Sequence, residues 1–241
     1  MLNTLLDTDL LAQQFRVDER VHIQNILDPG IAQQIREYCL SEVQYELVHF
    51  RNGKIHSWTG ADVNGKTPAD MQKVQQDIWR EARKGIGFQY SGYMMRKADR
   101  ASSNEKLRFL HKVFEFLNGD EMLNFVSQVT GRTDLRSADA QYTRYTAGQF
   151  LTRHRDTVAG KDRRIAYVMG FSKNWHPDWG GLLQFYEPDG TPRDAWTPEF
   201  NCLNLFGIQH IHAVTYVTPF AGEARLSLTG WFRSTPKDTE S

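Results

Sequence analysis

The chain has 241 residues, of which 40 % are hydrophobic and 24 % charged, so it is long enough for one large globular domain or two small ones. Its 29 Lys and Arg balance 29 Asp and Glu, which leaves no global charge to favour nucleic acid or an anionic membrane surface. Two cysteines, Cys39 and Cys202, argue against a disulfide framework; residues 1–15 lack the basic start and apolar run of a secretory signal, and no apolar run reaches the length of a membrane span. A soluble cytoplasmic protein, with neither nucleic acid nor membrane as partner, is the expectation.

In chain order, Arg20-Val21-His22-Ile23 reads as a short strand with His22 on its surface. Asp28-Pro29 reads as a helix start, with Asp28 as N-cap and Pro29 at the first helical position. Residues 45–50 look like a strand. Residues 51–70, rich in Gly, Asn, Asp and Thr and holding Trp58, read as a long loop that serves either as a lid or binding loop or as a plain surface excursion. A helix over 71–84 ends at Gly85, and 87–95 brings Phe88, Tyr90 and Tyr93 together as core or pocket aromatics. Two helices follow. Ser103 or Asn104 caps the first, which carries Leu107, Leu110, Phe114, Leu117 and a structural His111; Asp120 caps the second, which stops at Gly131.

After Arg132 short alternating runs replace helical periodicity. Strands are predicted over 138–145, 150–156, 164–171, 182–186, 201–206, 212–217 and 224–233, with a turn at Pro188-Asp189-Gly190. Strands at this spacing predict an antiparallel sandwich or jelly-roll barrel. The fold class is therefore mainly β with flanking helices. One domain spans 1–241, in which 1–131 gives mainly helical support and lid elements and 132–235 gives the jelly-roll core.

The chemistry concentrates in that second half. His154-x-Asp156 on a strand projects an imidazole and a carboxylate from one face, because side chains two apart share a face. A second imidazole from a distant strand would complete two His and one carboxylate with open positions, a set that suits non-heme Fe(II). His212 is the proposed third ligand and His210 its rival on the same face. In Arg225-Leu226-Ser227-Leu228-Thr229, the polar residues face one way and the leucines the other. If Arg225 points into a barrel, its guanidinium needs an anion, and a small carboxylic acid would supply it with help from Ser227.

Taken in this order, His154-x-Asp156, His212 and Arg225-x-Ser227 resemble the signature of Fe(II)- and 2-oxoglutarate-dependent dioxygenases. The prolyl 4-hydroxylase-like branch is the nearer likeness, through Tyr145-Thr-Ala-Gly148, the paired Arg163-Arg164 and Trp179-Gly180-Gly181-Leu182-Leu183. The resemblance covers roughly 138–233. It implies a double-stranded β-helix in which His154, Asp156 and His212 bind Fe(II). It also implies 2-oxoglutarate on the metal, with its far carboxylate at Arg225 and Ser227 and with Tyr145 beside it. O2 is the second co-substrate, and ascorbate a further candidate cofactor.

At the position where relatives often carry a second co-substrate tyrosine, this chain has Gly170, and Tyr167 falls on the opposite face. Asp156, where related halogenases have a small residue, favours hydroxylation. The implied activity is hydroxylation of an unactivated C–H bond, of a prolyl residue in a protein or peptide, with release of succinate and CO2. Arg155 and Trp58 are candidate substrate contacts. Alternatives are a small-molecule hydroxylase on the same iron site and a non-catalytic jelly-roll binding protein. Nucleic-acid demethylation is disfavoured because Trp231 stands where that branch has a second arginine, and zinc hydrolysis because no His-Glu-x-x-His motif is present.

Overall fold

The computed structural model describes residues 1–95, 100–158, 160 and 162–236. Its helices begin where short polar side chains can take up free backbone N–H groups. Asp7 caps α1 (Thr8–Asp18) by accepting from Leu10 N, and Asp28 caps α2 (Pro29–Ser41) by accepting from Gly30 N and Ile31 N. Between these helices lies β1 (Arg20–Gln24), in which His22 bonds Asn204 across the sheet.

The stretch 51–70, expected to be a loop, is mostly ordered secondary structure. Asn52-Gly53, with φ of 52° and 73°, makes a two-residue turn between β2 (Glu46–Arg51) and β3 (Lys54–Trp58). Positive φ at both central residues matches the twist of the paired strands, and Asn-Gly adopts it at low cost. Thr59 and Asp62 then form a capping box on the short α3 (Gly60–Asn64), and Thr67 with Asp70 forms a second on α4 (Pro68–Arg83). The Gly, Asn, Thr and Asp that suggested a loop by composition are turn and cap residues by position.

After β4 (Phe88–Met94) come α5 (Glu105–Leu117), capped by Asn104, and α6 (Asp120–Thr130). Asp120 does not cap α6. Gly119 is the N-cap residue and makes no side-chain bond, while Asp120 and Glu121 lie in the first turn, where negative charge complements the helix dipole. The remaining strands are β5 (Ser137–Ala138), β6 (Gln141–Tyr145), β7 (Phe150–His154), β8 (Arg163–Phe171), β9 (Leu183–Tyr186), β10 (Pro192–Trp196), β11 (Phe200–Gly207), β12 (Ile211–Val214) and β13 (Arg225–Arg233).

The strands run in the order β1-β11-β8-β13-β6-β4-β7-β12-β9-β10, and neighbours pair antiparallel. β4 joins the two layers of the jelly roll: Ser91 to Met94 pair with β6, while Phe88 and Gln89 pair with β7. The N-terminal portion thus supplies β1 to β4 to the barrel as well as its helices.

The helices cover the outer face of the larger layer. Ile35, Leu110, Phe114 and Val126 pack with Met169, Leu203, Leu205, Leu226 and Leu228 in one buried core. Each fully buried leucine contributes about 2 kcal/mol. Since β-strand side chains alternate, sealing Leu226 and Leu228 against helices turns Arg225 and Thr229 into the barrel. Cys39 and Cys202 are buried free thiols, and among the described residues no helix is long and apolar enough to cross a membrane.

Candidate metal centre

β7 and β12 pair so that His154 and His212 are direct cross-strand partners. Their ring centroids are 4.2 Å apart. β7 ends at His154, two residues short of the expected 156, and Asp156 is fixed instead by its N–H donating to Ile208 O at 3.2 Å. The carboxylate comes within 3.6 Å of His154 Nε2 and 3.5 Å of His212 Nε2. One ligand atom from each of the three residues lies within 4.8 Å of the others.

Backbone carbonyls fix both imidazoles. His154 Nδ1 donates to Thr152 O at 3.1 Å and His212 Nδ1 to His210 O at 3.0 Å. With the proton on Nδ1, the Nε2 lone pair of each ring faces the shared space, the tautomer a metal ligand needs. His212 and Asp156 are 5 % and 4 % exposed. Burial pushes His212 down to about 4, with the neighbouring His154 acting in the same sense. Burial raises the Asp156 carboxyl, but the adjoining imidazoles of His154 and His212 outweigh it and hold the group below the ordinary carboxylate range. A divalent ion binds imidazoles through a free lone pair and carboxylates in their ionised form, which the depressed Asp156 and His212 favour.

Next to this cluster lies a cavity of about 370 Å³. Tyr145, Thr143 and Arg225 line its inner part, and the exposed Ile55, Arg155 and Val158 line its outer part. Arg225 is 3 % exposed, and its Cζ stands 5.2 Å from the Tyr145 ring centroid. Its Nε has no hydrogen-bond partner, and among the described residues no carboxylate pairs with it. Burial pushes the guanidinium below its ordinary value. A glycine makes its room: a Cβ on Gly181 would sit 3.2 Å from Arg225 Cδ and 3.1 Å from the Trp175 ring. An unpaired buried cation costs several kcal/mol, so this one is built for an anionic ligand. The cluster and the cation therefore fit Fe(II) and a dicarboxylate at the two ends of one space.

Other expected residues fall as follows. His210 contributes its carbonyl, and its ring packs against Phe185 outside the cluster. Ser227 is buried on the same side of β13 as Arg225 but does not line the cavity; its carbonyl accepts from Thr143 Oγ1 at 3.4 Å. Arg155 lines the cavity. Trp58 does not: it meets His49 edge-on at 4.5 Å and packs with Val74, Ile78 and Phe150, drawn there by α4.

Tyr167 points to the helix-side core, where its hydroxyl donates to Asp139 O at 2.7 Å. Gly170 faces a bulge in β11 at Asn201, whose φ is 56°. A Cβ at 170 would fall 2.3 Å from Glu199 O and 2.8 Å from Cys202 Sγ, so no side chain fits there. Sequence reasoning did not place Ile55, Val158 or the glycine cradle of Arg225 at this site; the Asn-Gly turn that brings Ile55 over it was the available signal.

The sequence model of the 2OG-Fe(II) oxygenase superfamily matches residues 140–233. The mouse (Mus musculus) prolyl 3-hydroxylase OGFOD1 is 30 % identical over 115 residues, which are 45 % of this chain and 21 % of that protein. The chain thus spans about a fifth of that relative's length. A prolyl-4-hydroxylase from Pseudomonas putida superposes with a TM-score of 0.59 at 19 % identity, covering 94 % of this chain and 98 % of that one. A 2OG-Fe(II) oxygenase family oxidoreductase from Burkholderia pseudomallei gives 0.62 at 14 % identity, covering 98 % and 94 %. A Trichoplax adhaerens prolyl hydroxylase, solved with a hypoxia inducible factor oxygen degradation domain peptide fragment, gives 0.58 at 16 % identity, covering 94 % and 89 %. These likenesses show the double-stranded β-helix fold. Residues 140–233, which hold His154, Asp156, His212 and Arg225, are thus similar to the 2OG-Fe(II) oxygenase superfamily, and the chain shares sequence and fold likeness with prolyl hydroxylases.

Proposed function

We propose that this protein is an Fe(II)- and 2-oxoglutarate-dependent dioxygenase that hydroxylates a prolyl residue of a protein or peptide. The observation that carries the reading is the buried, unpaired Arg225 sharing one cavity with the His154, Asp156 and His212 cluster. His154, Asp156 and His212 would hold the iron, and Arg225 would pair with the far carboxylate of 2-oxoglutarate, with the Tyr145 ring flanking that cation. Ser227 would act by shaping the strand beside Arg225. When bound, iron and 2-oxoglutarate supply the oxidising chemistry: one oxygen atom of O2 enters the substrate C–H bond and the other leaves in succinate, with CO2.

The chain's own work is positional. The two carbonyl-anchored imidazoles hold the ligand directions fixed before metal arrives, which removes reorganisation cost. The apolar walls formed by Leu151, Leu183, Phe206 and Val214 keep water from the space beside the cluster. The relatives that carry the prolyl name support the choice of substrate, as does an outer cavity open to the surface at Ile55 and Val158.

The test is succinate release from 2-oxoglutarate in air with Fe(II) and ascorbate, run with proline-containing peptides and followed by mass spectrometry for a single added oxygen. Turnover coupled to peptide oxidation and abolished by His154→Ala supports the proposal. Tight 2-oxoglutarate binding without turnover under any condition would point to a binding module instead. Coupled turnover only with small molecules would remove the prolyl assignment.

A further inference from the structure

The cavity's charge does not close when its proposed occupants are counted. A divalent ion and Arg225 balance the carboxylate of Asp156 and the dianion of 2-oxoglutarate. Two more arginines line the same space, Arg155 at the exposed rim and Arg163 on β8. Among the described residues, Asp156 is the one carboxylate of the lining.

Arg163 is held in place by stacking and a backbone bond; Asp156 and Asp139 act on it through space, but no carboxylate among the described residues forms an ion pair with it. Its Cζ lies 3.4 Å from the Trp231 ring centroid, its Nη1 donates to the backbone carbonyl of Asp156 at 3.3 Å, and its buried Nε has no acceptor. Stacking on an indole fixes a guanidinium and leaves its charge available to a ligand in the plane of the fork. Ile55 and Val158, 69 % and 42 % exposed, add apolar surface to the same lining.

We infer that the outer cavity selects a peptide whose modified residue is flanked by acidic side chains, recognised by Arg155 and Arg163. This rests on the oxygenase reading and names the substrate class within it. A peptide fits better than a nucleic acid, because a polyanion needs a basic track along the surface and this neutral chain offers two cations in one pocket. Asp or Glu beside the target would accept from the Arg163 fork and pair with Arg155 at the rim, while an aliphatic neighbour would cover Ile55 and Val158.

The experiment titrates protein loaded with Mn(II) and N-oxalylglycine, a non-reacting 2-oxoglutarate analogue. The ligands are three proline-centred peptides of equal length whose flanking residues are Asp/Glu, Asn/Gln or Lys. The expected order of affinity is acidic, then amide, then Lys, with about tenfold or more between the extremes and a steep weakening in salt. Arg155→Glu is expected to reverse that order, and Arg155→Gln, the milder change, to flatten it. Binding of all three peptides within about twofold of one another, tighter binding of the Lys peptide, or tighter binding of an oligothymidylate overturns the acidic-peptide inference. So does absence of any peptide binding to protein that takes up Mn(II) and N-oxalylglycine, and in these cases the oxygenase reading stands. Failure of the wild-type chain to bind Mn(II) and N-oxalylglycine removes the oxygenase reading and the inference with it.

Discussion

His154 and His212 face each other as a direct pair across the β7–β12 ladder, and each ring is pinned through Nδ1 to the carbonyl of the residue two places before it. Neither imidazole can turn away without breaking that bond, so the pair is a preformed half of a metal site. His154→Ala or His212→Ala should each weaken Mn(II) binding by more than about 100-fold, since losing a ligand costs more than losing its orienting partner. The far-UV circular dichroism of both variants should match wild type. Calorimetry with Mn(II) measures the effect, and a change within a few-fold of wild type would show that the ion, if any, sits elsewhere.

Arg225 makes the opposite kind of prediction, because it is a liability in the empty protein. Its buried Nε is unpartnered, and the Tyr145 ring flanks it; among the described residues no carboxylate pairs with it. Arg225→Met keeps most of the volume and removes the charge. Thermal unfolding of the metal-free variant should be raised by a few degrees, the equivalent of about 1–3 kcal/mol. The extra stabilisation that Mn(II) with N-oxalylglycine gives wild type should vanish. A lowered melting temperature in the metal-free variant would mean that the guanidinium has a structural partner.

Part of this site was legible because strand alternation is a strict rule. Arg225-x-Ser227 puts two residues on one face of β13, and the leucines between and after Arg225 needed a core on the other, whereas Asp156 lies past the end of β7 and is placed by its backbone bond to Ile208. Alternation does not report depth, however, and Ser227 lies on the predicted face yet outside the cavity. Nor does it choose between His210 and His212, which have the same parity; the β12–β7 register makes that choice. Trp58 was misplaced because 51–70 was read by composition. Position within it mattered more: Asn52-Gly53 at the turn, Thr59 and Thr67 at caps, and α4 laid against the hairpin fix where the indole goes. The four N-terminal strands that complete the barrel carry no periodic signal that tells which later strand they pair with, since pairing is a long-range property.

Gly170 tests why this chain lacks a tyrosine there. The β11 bulge sets Glu199 O 2.3 Å from where a Cβ would be, and the bulge itself is tied down, with Asn201 accepting from Leu27 N and donating to Leu27 O. A backbone carbonyl held this way cannot yield as a side chain would. Gly170→Ala should cost about 2–4 kcal/mol of stability, and Gly170→Tyr should not fold. Urea unfolding of the alanine variant is the measurement, and a loss under about 0.5 kcal/mol would show that the bulge moves freely.

His49 lies outside the cavity and gives a pH dependence of stability. It is 0 % exposed, between the stacked ring of His56 at 5.2 Å and the edge of Trp58 at 4.5 Å. Burial pushes its pKa down from 6.5 to about 4, against an opposing bond to the Leu47 backbone and with the charges of His56 and Arg51 adding to the fall. The folded pKa is depressed, so between these two values the unfolded chain takes up a proton that the folded chain refuses. The stability tied to neutral His49 is whole above pH 6.5, declines as pH falls, and is spent once pH passes about 4. The total is up to about 3 kcal/mol. His49→Phe keeps an aromatic ring of similar size and cannot titrate. In metal-free protein, where His212 contributes equally to both chains, urea unfolding between pH 7 and pH 4.5 should give a shallower fall for His49→Phe, by about 2–3 kcal/mol at the acid end. Parallel curves would show that the His49 ring reaches water or a partner when it is protonated.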